Sequence, residues 1–168
     1  MNFLKFSFLL IFISLLVGLT PTFFKFAFNL DSIQPAEAVS FKTTKDTGKI
    51  KSIIVGKSKI PVYLADTEEK RIKGLGGRTS IPRNYGMFFI FDYVDYQNIW
   101  MKDMLFPIDI IWIDGNSKIV HIEKNVSPDT YPKIFTAPVK ARYVLELNAG
   151  MSELYDLKIG KKIIFGSK

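Results

Sequence analysis

The sequence predicts a mainly β domain, an antiparallel sandwich or barrel carrying one or two short helices. Three observations carry that prediction. About eight runs of strand length, rich in Ile, Val, Phe and Tyr, are separated by turn signals. The clearest helix start is cut off by Gly74, Gly76 and Gly77 within about two and a half turns. At 168 residues with no cysteine, the chain has room for one domain plus a leader, and an ordinary core rather than disulfides must hold it.

The elements follow in order. Ile50 to Val55 and Ile60 to Ala65 flank Gly56-Lys57-Ser58, a hairpin pattern. Asp66-Thr-Glu-Glu69 reads as a helix start, with Asp66 as the cap and Glu69 reaching back. Met87 to Phe91 is apolar on both faces and so predicts a central strand. Asn98 to Lys102 and Ile108 to Asp114 follow as strands, with a bend at Phe106-Pro107 between them. Asp114-Gly-Asn-Ser117 is a turn leading into Lys118 to Lys124. From Arg142 to Asn148 the chain alternates: Tyr143, Leu145 and Leu147 take one face, Arg142, Glu146 and Asn148 the other. Met151 to Leu157 offers a second short helix, and Lys161 to Phe165 a last strand.

Ahead of this domain, residues 1–38 read as a leader. Lys5 precedes an apolar run from Phe6 to Leu19, and Ala36-Glu37-Ala38 is a small-x-small site before Val39. Two readings stay open: a cleaved signal peptide, or an uncleaved anchor over Phe6 to Phe24, which is about the 20 residues a bilayer needs. Either one places the domain outside the cytoplasm, in the periplasm or beyond, or on the outer side of a membrane. In the anchored case the N-terminal segment itself is the membrane contact. Residues 39–49 are polar and Lys-rich and form a linker, which leaves 50–168 as a single β domain.

The net charge of +7 belongs to residues 39–168, which hold 21 Lys plus Arg against 14 Asp plus Glu. Only four of the 21 are Arg, whereas bidentate reading of bases and phosphates favours Arg, so nucleic acid is not the expected partner. An anionic envelope component fits an exported basic domain better, with solubility as the plainer role of the charge.

The densest chemistry lies between residues 71 and 115: Arg71-Ile-Lys-Gly-Leu-Gly-Gly-Arg78, Gly86-Met-Phe-Phe-Ile-Phe91, then Trp100-Met-Lys-Asp-Met-Leu-Phe-Pro-Ile-Asp109 running on to Gly115. These segments resemble the signature of the domain-of-unknown-function 192 family (uncharacterised protein family 0127), whose pattern runs roughly Gly-Leu-Met-x-Arg, Gly-Met-Leu-Phe-x-Phe, Trp-Met-Lys-Asn-Thr-x-x-Pro-Leu-Asp. Tyr143-Val-Leu-Glu-Leu147, Gly150 and Gly160 extend the likeness toward the C-terminus. The resemblance implies a jelly-roll-like β domain and brings no established activity. The chain departs from the pattern at Gly76 (Met in the family), Asp103 (Asn) and Met104 (Thr).

Candidate ligand-binding residues are Arg78, Trp100, Lys102, Asp103, Asp109 and Glu146. Trp100 and Lys102, two apart on one strand, offer a flat aromatic beside a cation, as in sites for sugars and other polar rings. Asp109 shares a face with Ile111 and Ile113, which is costly unless it is paired, and Arg78 and Lys102 are the expected partners. The alternative for Asp109 is a purely structural pair or cap. Gly74-Leu-Gly-Gly77 follows a helix rather than opening one, so it reads as a helix stop and not a phosphate loop.

Catalysis and metal binding have thinner support. With His121 as the sole histidine, a zinc set is incomplete, and Met87, Met101, Met104 and Met151 read as core filler before copper ligands. No nucleophile-elbow pattern surrounds a Ser. We therefore expect no metal and no cofactor, and single out no catalytic residue. The expected function is a non-catalytic binding domain for a small polar or saccharide ligand or an envelope component. The alternatives are a glycan-acting enzyme using a carboxylate pair among Asp103, Asp109 and Glu146, and a purely structural or interaction domain.

Overall fold

A computed structural model describes residues 50–167, which fall in one compact unit; the leader and the linker read from the sequence lie outside the described residues. No helix among the described residues is long and apolar enough to cross a membrane.

The domain is mainly β. Strands β1 (Ser52–Val55), β2 (Ser58–Ala65), β3 (Gly86–Asp95), β5 (Ile108–Ile113), β6 (Ile119–Val126), β8 (Ala141–Asn148) and β9 (Ile164–Gly166) form one sheet in the order β6-β5-β8-β3-β2-β1-β9. Strands β4 (Asn98–Trp100) and β7 (Ile134–Thr136) make a separate two-stranded sheet. Among the described residues, helices are confined to α1 (Glu68–Lys73), α2 (Met151–Leu154) and a 3-10 turn at Pro128–Thr130.

Local chemistry explains most boundaries. Gly56 takes φ 59, the left-handed conformation that a two-residue β1–β2 hairpin needs. The cap of α1 is Thr67 rather than Asp66: the Thr67 hydroxyl accepts from the Lys70 amide at 3.3 Å. Asp66 instead pairs with the Lys70 ammonium at 2.6 Å. Gly74 ends the helix at φ 48, so the glycine-rich segment is a stop.

Two features go beyond the antiparallel expectation. First, β2 and β3 pair in parallel, Val62 opposite Gly86 through Ala65 opposite Phe89. Parallel neighbours cannot be joined by a tight turn. Their crossover, residues 66–85, therefore travels across one face of the sheet and carries α1 and the glycine-rich loop with it. Second, the sheet curls until its ends meet. Lys118 bridges Lys162, the Ile119 amide donates to Lys161 O at 2.9 Å, and the Ile163 amide donates to Ser117 O at 2.8 Å.

The sheet separates two cores. One face gathers Phe88, Ile90, Ile111, Ile113, Leu145 and Leu147 with Ile53 and Ile60, and Met151 of α2 seals it. The other gathers Met87, Phe89, Ile108, Ile110, Trp112 and Val144, covered by Leu75 from the crossover and by Ile99, Met101, Met104 and Phe135 from the β4–β7 region. Trp112 is wholly buried and donates its indole N–H to Gln97 O at 2.9 Å, tying the covering layer to the sheet. All four methionines considered as copper ligands are buried core residues.

Candidate functional site

Register places Glu146 in the covered face. It stands opposite Met87 on β3 and Ile110 on β5, on the side of β8 shared with Val144. The sequence alternation put Glu146 on the polar side of β8, but that side lies beneath the crossover and the β4–β7 layer. Only 4% of Glu146 is exposed, and its Oε2 has no hydrogen-bond partner among the described residues. A charged carboxylate in such surroundings has lost its water without gaining donors. Burial therefore pushes the Glu146 carboxyl up to about 8, and at neutral pH it is held mostly as the neutral acid.

A cleft of about 200 Å³ opens over Glu146. Leu75, Phe89, Phe91, Ile99 and Met104 give it apolar walls, and Trp100, Arg71, Lys73 and Lys102 supply its aromatic and cationic lining. Trp100 is 47% exposed, so its ring is available at the rim rather than consumed by the core. The Arg71 guanidinium is already engaged: it donates to Ile90 O at 2.8 Å, meets Asp92 Oδ2 at 3.3 Å and lies 5.5 Å from the centre of the Phe91 ring. Among the described residues, no hydrogen bond or ion pair engages the ammonium groups of Lys73 or Lys102. Glu146 is the one acid among the described residues that line the cleft.

Of the six residues singled out in the sequence, the structure brings Trp100, Lys102 and Glu146 together here. Lys102 comes from the turn after β4 rather than from the strand, which ends at Trp100. Asp103 occupies the left-handed region at φ 57, and its carbonyl accepts from the Gly77 amide at 2.8 Å. Asn and Asp tolerate that conformation better than other side chains, which accounts for the residue type in backbone terms. Gly76 fits the same contact. A Cβ there would stand 3.0 Å from Lys73 O and 3.3 Å from Lys102 O, so its lack of a side chain lets the two loops close against each other. Arg78 lies over the Tyr63 ring at 4.9 Å and is not part of the cleft lining.

Asp109 sits on the opposite face, paired in register with Leu147, and is completely buried. Neither Arg78 nor Lys102 is its partner, since both belong to the other side of the sheet. Its Oδ1 accepts from the Asn125 amide at 2.9 Å and its Oδ2 from the Ser152 amide at 2.8 Å. The first bond secures the irregular β5–β6 register at Asn125, which takes φ 53. The second supplies to α2 the side-chain cap that Gly150 lacks. Asp109 and Glu146 therefore cannot face each other across one groove.

Sequence reasoning missed Arg71, Lys73, Phe89, Phe91 and Met104 as cleft residues. The only signal for them was their position within the 71–115 stretch, because crossover and sheet meet through tertiary packing alone. His121 and Glu123 do pair, at 3.0 Å, but among the described residues no group of three or more acids or histidines is placed to hold a metal ion.

Comparison with known proteins agrees with this architecture. A "UPF0127 protein" of Thermococcus gammatolerans is 32% identical over 104 residues, 61% of this chain. The chain spans 64% of that relative's length, a little under two thirds. A solved protein of unknown function from Novosphingobium aromaticivorans superposes with a TM-score of 0.64 at 28% identity, covering 69% of this chain and 85% of its own. A provisionally assigned transcription regulator from Sinorhizobium meliloti gives the same TM-score at 27% identity, covering 70% of this chain and 92% of its own. The model of the DUF192 family, described as Uncharacterized ACR, matches residues 51–165, and this chain belongs to that family.

Proposed function

We propose that this protein is a non-catalytic binding domain for a small polar ligand of saccharide type, working outside the cytoplasm. One observation carries the reading: a solvent-open cleft holds an unpartnered, buried Glu146 among apolar walls, with the half-exposed Trp100 among its lining. Apolar clefts with a few convergent polar groups are the usual form of small-ligand sites. A flat indole face matches the apolar face of a pyranose, and a buried acid without partners is a group that a ligand hydroxyl can satisfy. The apolar N-terminal run supports the extracytoplasmic setting. A glycan hydrolase would need a second carboxylate facing Glu146, and none lines the cleft among the described residues.

The test is a thermal-shift screen of the full-length protein against neutral, acidic and amino monosaccharides, with Trp100→Ala beside the wild type. A ligand at a hundredfold excess over its dissociation constant stabilises by about 2.7 kcal/mol. The expected outcome is a saccharide-dependent rise in melting temperature that Trp100→Ala abolishes without unfolding the protein. Absence of a rise with every monosaccharide class would overturn the proposal.

A further inference from the structure

The charges around the cleft narrow the ligand further, given the binding role just proposed. From α1 come Arg71 and Lys73, and from the turn after β4 comes Lys102. The direct strand neighbours of Glu146 are the apolar Met87 and Ile110. The next acid on this face, Glu123 of β6, stands two strands away beyond Ile110, about 10 Å by strand spacing, and is paired with His121. Asp92 is exposed and meets Arg71. The cleft thus has a cationic lining and one unpartnered acid as its floor.

We infer that the cleft takes a sugar acid, a small polyhydroxylated molecule bearing one carboxylate, in preference to a neutral or an amino sugar. The two unengaged ammonium groups, Lys73 and Lys102, are the counter-charge for that carboxylate, and Glu146 is the hydrogen-bond partner for the part of the ligand that reaches the floor. An amino sugar fits poorly, because its ammonium would have to enter past three cations before reaching Glu146. A phosphorylated ligand would lack a bidentate arginine contact, because the Arg71 fork is already spent on Ile90 O and Asp92, and would meet only the point charges of Lys73 and Lys102.

Proton linkage provides a second readout. Held as the neutral acid, Glu146 can donate to the ligand; ionised, it places a negative charge next to an anion. Because its carboxyl is raised to about 8, affinity for the sugar acid falls as pH rises from 6 to 9, by roughly tenfold.

The experiment is calorimetric titration of the full-length protein with D-glucuronate, D-glucose and D-glucosamine at pH 6 and pH 9. Wild type, Lys102→Gln and Glu146→Gln are measured, with folding of each checked by circular dichroism. The inference predicts that glucuronate binds at least tenfold more tightly than the other two at pH 6, and that it weakens at pH 9. Lys102→Gln, at an exposed position, lowers glucuronate affinity several-fold and narrows the preference for glucuronate over glucose. Glu146→Gln removes the pH dependence. If glucose or glucosamine binds as well as glucuronate, the anion preference is wrong while the binding role stands. If none of the three binds, both fail.

Discussion

Glu146→Gln isolates the energetic cost of the buried acid. The carboxyl titrates near its ordinary 4.5 in the unfolded chain and at about 8 in the fold. The sign follows from proton uptake. Between those values the folded state holds a proton that the unfolded state has released, so stability falls as pH rises. Below about 4.5 both states are protonated and the group costs nothing through linkage; above about 8 both are ionised and the loss is complete. At 1.36 kcal/mol per pKa unit the loss is about 3 kcal/mol at pH 7 and approaches about 5 kcal/mol by pH 9. Urea unfolding of wild type and Glu146→Gln at pH 5, 7 and 9 reads it directly. All other ionisable groups are common to both proteins, so the difference between the two profiles reports Glu146 alone. The amide adds an offset that does not vary with pH, so the slope is the observable. Glu146→Gln should gain on the wild type by several kcal/mol between pH 5 and 9. Two parallel profiles would refute a buried acid without a compensating partner.

Two further substitutions test the frame around the cleft. Asp109→Asn should cost about 3 kcal/mol in chemical denaturation, since the amide can accept only one of the two bonds from Asn125 and Ser152 and turns a donor against the other N–H; a variant as stable as wild type would remove its role as clamp between β6 and α2. Gly86→Ala should cost about 2 kcal/mol by overpacking, because the added Cβ would lie 2.8 Å from both Glu146 O and Leu147 Cδ2. A neutral outcome in thermal unfolding would contradict the tight β3–β8 approach at that position.

Residues whose role is set locally were the legible ones. The Gly56 turn, the apolar β3, the glycine stop after α1 and the alternation of β8 all follow from short-range rules, and each stands in the fold. The short β7 escaped notice, because three residues carry too little periodicity to register. Strand direction was not legible either: nothing within β2 or β3 shows that they run in parallel.

The same division governs the candidate site. Alternation correctly put Asp109 with Ile111 and Glu146 with Arg142, but it could not say which faces would be covered. Asp109 stood out because its neighbours are apolar, and it proved to be spent on backbone amides. Glu146 looked ordinary because Arg142 and Asn148 share its side of β8, yet the crossover and the β4–β7 layer bury it. Trp100 and Lys102 were found through their spacing, while Arg71 and Lys73 reach the cleft only through the crossover.

The meeting of the sheet's two ends bears on how the chain reaches this state. β1 takes its outer partner from β9, with Ser52 opposite Gly166, and the contacts that join the ends use residues 160–163. Nearly the whole domain must therefore be synthesised before the first strand acquires its second neighbour. Until then the β1–β2 hairpin presents an open hydrogen-bonding edge beside apolar Ile53 and Val55, the kind of surface on which unfinished chains associate. Long-range pairing of this sort folds slowly, so C-terminal completion, rather than hairpin formation, sets the moment at which the nascent domain becomes safe from its neighbours.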